Sequence, residues 1–427
     1  MLTKAPKGTK DILPAEIAKW HAAERAFAEE CRRAGFAEIR TPVFEHTELF
    51  ARGIGDTSDV VQKQMYTFED LAHRSITLRP EGTAGVARAF IENKRYADMQ
   101  PTKLWYEIAC FRYEKPQSGR LREFHQFGVE IFGASDMTAD AEVIGLADAF
   151  LRGLGLSDIE LRINSIGCPA CRPAYKDALI AFLAPKYDAL CDTCKSRYEK
   201  NPLRILDCKS PVCQELVQGA PVMMDHLCDE CLSAFDALKG DLEARGIAYV
   251  VDTGIVRGLD YYTKTAFEFV TDRIGAQGTV CGGGRYDHLL AELGGPDMPG
   301  VGFGLGIERL LLLLDEAGIA LPAANVMDVF VVYIGDAAKL KAQAVVTALR
   351  KAGIAADMDA AARGVKGQFK YADRIGARYA LTIGDDELAS GEAPLKDMTT
   401  GDVQRVPLNA PEEWIAVFSA QGSESHA

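Results

Sequence analysis

Eight of the eleven cysteines, Cys168, Cys171, Cys191, Cys194, Cys208, Cys213, Cys228 and Cys231, crowd into one segment, and this limits what the middle of the chain can fold into. Six of them form three C-x2-C pairs. The segment differs in composition from its surroundings, and polar, strand-like sequence resumes after it, so residues 168–246 read as an insertion into one larger domain. Four thiolates close one tetrahedral zinc site, so eight could close two. Reduced thiols are the alternative that the spacing leaves open.

The remaining bounds are broad. A chain of 427 residues allows two or three domains, and 48% hydrophobic with 26% charged residues is ordinary for a globular protein. The polar N-terminus, with Lys4, Lys7 and Lys10, lacks the apolar core of a secretory signal. The densest apolar run, Leu310 to Leu314, falls far short of the ~20 residues that span a bilayer. The expectation is a soluble, cytoplasmic chain without membrane association, in which disulfides are rare. A net charge of −13 argues against a general polyanion binder, so any nucleic-acid contact must be local and shaped.

Apolar Ile17, Trp20, Phe27 and Cys31 recur at helical spacing from Pro14 to Arg33, and Gly35 is placed for a left-handed cap. A strand over Ala37–Thr41 meets Pro42, which cannot donate to a ladder, so this strand is expected to lie at an edge, where a subunit contact can form, or to terminate there. Strands over Lys103–Tyr113 and Phe127–Phe132 flank a polar loop that reads as long and mobile. Helices are expected over Asp140–Gly153 and Ile307–Leu314, and Gly282–Gly284 and Gly302–Gly306 mark close backbone approaches. Leu321–Asn325 reads as a linker. Beyond it, strand (Asp328–Ile334), helix (Ala337–Lys351), strand (Ala355–Asp359), helix (about Gln368–Ile375) and strand (Tyr379–Ile383) alternate as in a small α/β domain with a mainly parallel sheet. The tail Ser419–Ala427 has no apolar content and is expected to fray.

Arg257-Gly258-Leu259-Asp260-Tyr261-Tyr262 packs a fixed cation, a carboxylate and two phenols into six residues, enough to recognise and hold a small polar substrate. Alone it reads equally as a tyrosine pair under a turn. Arg79-Pro80-Glu81-Gly82-Thr83 offers a carboxylate and a hydroxyl before a helix, either for a substrate amine or as a cap. Arg112 and Glu114 end one strand; Phe124, Gln126 and Glu130 lie on the returning one, where residues two and four apart share a face. Arg309 opens a helix after a glycine-rich turn, which suits a polyphosphate.

Together these segments resemble the class II aminoacyl-tRNA synthetases. The helix and strand ending at Pro42, Phe111-Arg112-Tyr113-Glu114, and Gly304-Leu305-Gly306-Ile307-Glu308-Arg309 match the three class signatures in order. Arg257–Tyr262 is similar to the signature of the histidyl family, as are Lys7–Pro14 and Tyr379–Gly384 near the two ends. The resemblance implies a class II catalytic domain over residues 1–325 with an antiparallel six-stranded sheet, the mainly helical cysteine-rich insertion at 168–246, and an α/β anticodon-binding domain over 326–427. It implies a homodimer that uses ATP with Mg2+ to convert L-histidine to the adenylate and then charges tRNA(His). The implied histidine-binding set is Glu81, Gly82, Thr83, Gln126, Glu130, Tyr261 and Tyr262. Within it Glu81 and Thr83 hold the α-amine, and Glu130 and Tyr262 read the two ring nitrogens. The implied ATP set is Arg112, Glu114, Phe124 and Arg309, with Arg112 and Arg257 as catalytic cations on the α-phosphate and Phe124 under adenine. Asp260 has no assigned role. The family does not require zinc, so no residue is assigned to a metal and bound Zn2+ is not expected.

Arg363, Lys366, Lys370, Arg374 and Arg378 would form one basic stripe on a helix, facing tRNA or simply solvent. The competing reading of the whole chain is a non-aminoacylating paralogue, similar to the synthetase-like regulatory subunit of ATP phosphoribosyltransferase. That class lacks an anticodon-binding domain and has a degraded histidine signature.

Overall fold

Two ten-residue strands organise the first half of the chain in the computed structural model. They are β5 (Thr102–Phe111) and β6 (Glu123–Phe132), paired antiparallel from Thr102 opposite Phe132 to Phe111 opposite Glu123. The structure describes residues 3–54, 60–206, 208, 210–255, 261–274, 278–321, 327–410 and 414. Contacts divide the chain into two units, Met1–Pro322 and Ala323–Ala427.

Before that hairpin come α1 (Pro14–Arg33), β1 (Ala37–Glu38), β2 (Phe44–His46), α2 (Thr47–Ile54), β3 (Tyr66–Glu69), β4 (Ser75–Leu78) and α3 (Thr83–Glu92). After it come α4 (Thr138–Gly153) and β7 (Glu160–Ser165). The insertion contributes α5 (Arg172–Leu183), α6 (Asp192–Lys200), α7 (Pro211–Leu216) and α8 (Asp229–Ala244), and is helical as expected. The unit closes with β8 (Val250–Val251), β9 (Thr263–Val270), β10 (Thr279–Arg285), α9 (Leu289–Glu292), β11 (Gly300–Gly306) and α10 (Ile307–Glu316).

The main sheet has eight strands in the order β1-β5-β6-β11-β10-β9-β7-β8 and is mixed, which corrects the expected six-stranded antiparallel sheet. The six central strands are antiparallel throughout. Two-residue strands add a parallel pair at each edge, β1 on β5 and β8 on β7. The strand expected over Ala37–Thr41 spans only Ala37–Glu38; beyond it the carbonyls of Thr41 and Pro42 accept from the Arg79 guanidinium, at 2.8 and 3.2 Å.

One face of this sheet is apolar. Phe127, Val129, Ile131, Val301, Phe303, Leu305, Phe267 and Phe269 pack against Trp20, Ala23, Phe27 and Cys31 of α1 and against α4 and α10. Helix α1 ends as the sequence predicts: Gly35 has φ +76°, and Phe36 N–H returns to Cys31 O at 2.9 Å. The opposite face carries polar groups and the glycines described below.

The second unit contains β12 (Val329–Tyr333), α11 (Asp336–Lys351), β13 (Ala356–Met358), α12 (Val365–Arg374), β14 (Tyr379–Ile383), α13 (Asp385–Ser390), β15 (Glu392–Asp397) and β16 (Val403–Pro407). Its sheet runs β13-β12-β14-β15-β16, parallel over the first three strands. The antiparallel β15 and β16 extend what the strand–helix alternation predicted. The basic stripe is shorter than expected. Lys366, Lys370 and Arg374 are exposed on α12, but Arg363 precedes the helix and pairs with buried Asp359 at 2.5 Å. Arg378 follows it and pairs with Asp328 at 3.8 Å.

Candidate active site

The polar face of the sheet is built by strand alternation. Gln126, Gly128 and Glu130 share one face of β6; Gly128 lies opposite Tyr106 on β5, and Gly302 and Gly306 on β11 lie opposite Glu130 and Gln126. A cavity of about 270 Å³ opens over it, lined by Glu81, Thr83, Tyr106, Arg112, Glu114, Phe124, Gln126, Tyr261, Tyr262, Gly304, Gly306, Glu308 and Arg309 among others. From the level of Glu130 to that of Phe124 is about 20 Å along β6, room for an amino acid and a nucleotide end to end. The polar face thus brings together all but three of the predicted residues.

Two of the three, Glu130 and Gly82, lie behind the wall. Glu130 is fully buried and accepts three hydroxyls, from Thr83 at 2.7 Å, Tyr106 at 3.0 Å and Tyr286. A Cβ on Gly82 or Gly128 would overlap the Tyr106 ring, so these two glycines form the slot for that ring. A Cβ on Gly302 would overlap the Glu130 carboxylate. The glycines read as close backbone approaches therefore divide: Gly302, Gly283 and Gly284 admit protein groups, while Gly282, Gly304 and Gly306 line the cavity. The third, Arg257, lies outside the described residues, as does Asp260, which has no assigned role.

Glu81 occupies the start of α3, accepting from Thr83 N–H at 2.7 Å and Ala84 N–H at 2.9 Å, so the capping alternative for this segment is realised by Glu81 itself. Burial raises its pKa against those two bonds. Tyr261 and Tyr262 are both buried, with ring centroids 4.6 Å apart, and Tyr286 packs on them at 5.5 and 6.2 Å. Sequence reading missed Tyr106 and Tyr286. The signal for Tyr106 was its place in the alternation Leu104, Tyr106, Ile108, Cys110 on β5, which burial follows strictly.

At the other end Arg112 donates from Nε to Pro80 O at 2.8 Å and lies over the Phe124 ring, 5.2 Å from its centroid. Glu114 pairs with Arg120 at 3.0 Å. Arg309 donates to Thr279 O and Gly119 O, and its pKa is lowered by burial and then by the charges of Arg120 and Arg112. Three mutually repelling guanidiniums beside one cavity form a ready site for a polyphosphate. Glu308, also unassigned from sequence, accepts from the backbone N–H of His125 at 2.9 Å and contacts its ring at 2.8 Å. This pair ties β6 to α10. Burial disfavours charge on His125, yet Glu308 outweighs it and raises the pKa.

Burial also pushes Glu130 up to about 8, from an ordinary 4.5, against the three hydroxyl donors. Between those values the folded chain holds a proton that the unfolded chain releases, so this group's contribution to stability falls as pH rises through the window. The difference in urea stability between wild type and Glu130→Gln should therefore decline from pH 4.5 to 8 and level off above it. A pH-independent difference would contradict the burial argument.

Family models describe residues 8–310 as "Histidyl-tRNA synthetase" and residues 328–417 as "Anticodon binding domain". A histidine–tRNA ligase of Acetivibrio thermocellus is 54% identical over 96% of this chain and 98% of its own length. One of Alkaliphilus oremlandii is 56% identical over 96% and 97%. The crystal structure of apo histidyl-tRNA synthetase from S. aureus superposes with a TM-score of 0.83 at 42% identity, covering 96% of this chain and 99% of that one.

Proposed function

The chain belongs to the histidyl-tRNA synthetase family, and from that premise we propose how its cavity divides the work of joining L-histidine to tRNA(His). It is an aminoacyl-tRNA synthetase with a class II catalytic domain and an anticodon-binding domain, and relatives named histidine–tRNA ligase at about 54% identity over nearly the whole chain support this over the regulatory alternative. The observation that carries the site reading is a single continuous cavity with tyrosines, Gln126 and Glu81 at one end and Arg112 and Arg309 at the other.

L-Histidine takes the tyrosine end. Glu81 and Thr83 meet its α-amine, and Tyr262 one ring nitrogen. Glu130, behind the wall, is the acceptor that turns the hydroxyls of Tyr106 and Thr83 inward as donors, leaving their lone pairs for the ligand's N–H groups. A site that hydrogen-bonds the ring rejects apolar analogues by about 10⁴-fold, since its buried polar groups would be left unpaired. ATP, entering with Mg2+ as part of the substrate, lies toward Arg309, with adenine on Phe124.

The histidine carboxylate is ionised at neutral pH and needs no base. Its oxygen attacks the α-phosphorus as the bond to the bridging oxygen breaks, and pyrophosphate departs with both electrons. Arg112 and Arg257 meet the charge gathered at the α-phosphate, and Arg309 the departing group. Transfer to tRNA follows at its terminal ribose hydroxyl. The exposed cations Lys366, Lys370 and Arg374 give the acidic chain a local surface for the tRNA.

A homodimer fits the exposed Val43, Phe44 and Phe68 on and beside the small sheet β2-β4-β3, apolar surface that a second copy would cover. No helix among the described residues is long and apolar enough to cross a membrane. Cytoplasmic location accords with free cysteines and with these substrates. The expected result for the purified chain is ATP–pyrophosphate exchange that depends on L-histidine and not on L-phenylalanine. Exchange absent with histidine, or equal with both, would overturn the reading.

A further inference from the structure

The eight crowded cysteines play no part in the cavity, yet they are far from randomly placed. All eleven cysteines are free thiols. The Sγ atoms of Cys168, Cys171, Cys228 and Cys231 all lie within 4.8 Å of one another, and so do those of Cys191, Cys194, Cys208 and Cys213. Three of these separations are 3.7, 3.9 and 3.8 Å, for Cys168–Cys171, Cys168–Cys228 and Cys191–Cys208. A disulfide would hold its sulfurs at ~2.05 Å. Four sulfurs at ~2.3 Å from a central zinc have tetrahedral edges of about 3.8 Å, which matches these three separations.

We propose that the insertion binds two structural zinc ions, one in each cysteine quartet.

Helix starts and backbone donors face the sulfurs at both places. Cys171, Cys191 and Cys228 immediately precede α5, α6 and α8, and Cys194 and Cys231 sit in the first turns of α6 and α8, where the positive end of a helix stabilises a thiolate. Backbone N–H groups point at sulfur as well: Cys228 N–H at Cys171, 3.1 Å, Cys191 N–H at Cys213, 3.4 Å, and Ser210 N–H at Cys208, 3.4 Å. Four thiolates complete the tetrahedral shell of one zinc and leave no open position, so the sites would hold structure and carry no chemistry.

They also sit where the insertion needs holding. Its own core is small, centred on Tyr175, Leu179, Leu183, Leu190, Ile205 and Met223 with the sulfurs among them. The first quartet joins the point where the chain leaves the main sheet after β7 to the start of α8, by which it returns. Just beside this neck, Arg172 donates to Tyr262 O, and Lys264 N–H donates to Gly167 O at 2.9 Å. A metal there would steady the backbone of the tyrosine wall.

The test is metal content of the whole chain, purified under reducing conditions without chelator. About two zinc ions per chain are expected, about one in Cys194→Ser and in Cys231→Ser, and still two in Cys31→Ser, whose thiol lies in the main core. Cobalt exchanged for zinc should give the visible bands of tetrahedral tetrathiolate sites, halved in either of the first two variants. Wild type with less than about 0.2 zinc, iron in place of zinc, or full zinc retention by both variants would each overturn the proposal.

Discussion

Arg112→Ala should lower histidine-dependent ATP–pyrophosphate exchange by about 10³-fold while leaving histidine affinity nearly unchanged. The nucleophile is already a carboxylate, so proton transfer contributes nothing to this step and the barrier falls through charge and alignment alone. Arg112 is held for that purpose: its Nε is fixed on Pro80 O, and its plane lies over Phe124. The immobilisation matters, because a preorganised donor stabilises the transition state without reorganising, and 10³-fold corresponds to about 4 kcal/mol. Lysine should restore little. Its ammonium keeps the charge but lacks the planar fork that can hold Pro80 O and an oxyanion together. Exchange rates at saturating histidine, with binding followed separately, decide the matter; a loss under tenfold would remove Arg112 from the reacting centre.

Much of this cavity was readable because strands alternate. Once β6 is a strand, Gln126 and Glu130 must share a face, and Arg112 and Phe124 must meet across the hairpin, since Phe124 pairs with Cys110. Depth was not readable. Glu130 stands on the correct face but one layer back, because glycines at 82, 128 and 302 let Tyr106 and the opposing strand come closer than side chains would allow. A glycine in sequence says that something approaches, without saying whether it is ligand or protein. The sheet count failed for a related reason: β1 and β8 are two residues long and follow no pattern that alternation can reveal. The cysteine spacing, by contrast, carried its own geometry into the fold, since each C-x2-C that opens a helix places both sulfurs on one side of the first turn.

Asp140→Asn should destabilise the catalytic unit by about 3–5 kcal/mol. Asp140 and Arg285 form a salt bridge with neither side chain more than 1% exposed, and neither was singled out from sequence. The guanidinium is fully engaged: besides Asp140 it donates to Ala134 O at 2.9 Å, Asp136 O at 3.2 Å and Asp287 at 3.2 Å. Removing the carboxylate charge leaves a buried cation with only partial compensation, and it cannot be deprotonated to escape. The consequence reaches the cavity, because Arg285 ends β10 and the next residue, Tyr286, donates to Glu130. A looser Arg285 loosens the hydroxyl that helps orient the histidine end, so the histidine KM should rise along with the drop in urea midpoint. The double change Asp140→Leu with Arg285→Met separates charge from packing. It should recover most of the stability, since an apolar pair of similar volume leaves no buried charge, but not the histidine KM, since the clamp on Tyr286 is gone. If Asp140→Asn is as stable as wild type, the pair is not what holds this corner of the sheet.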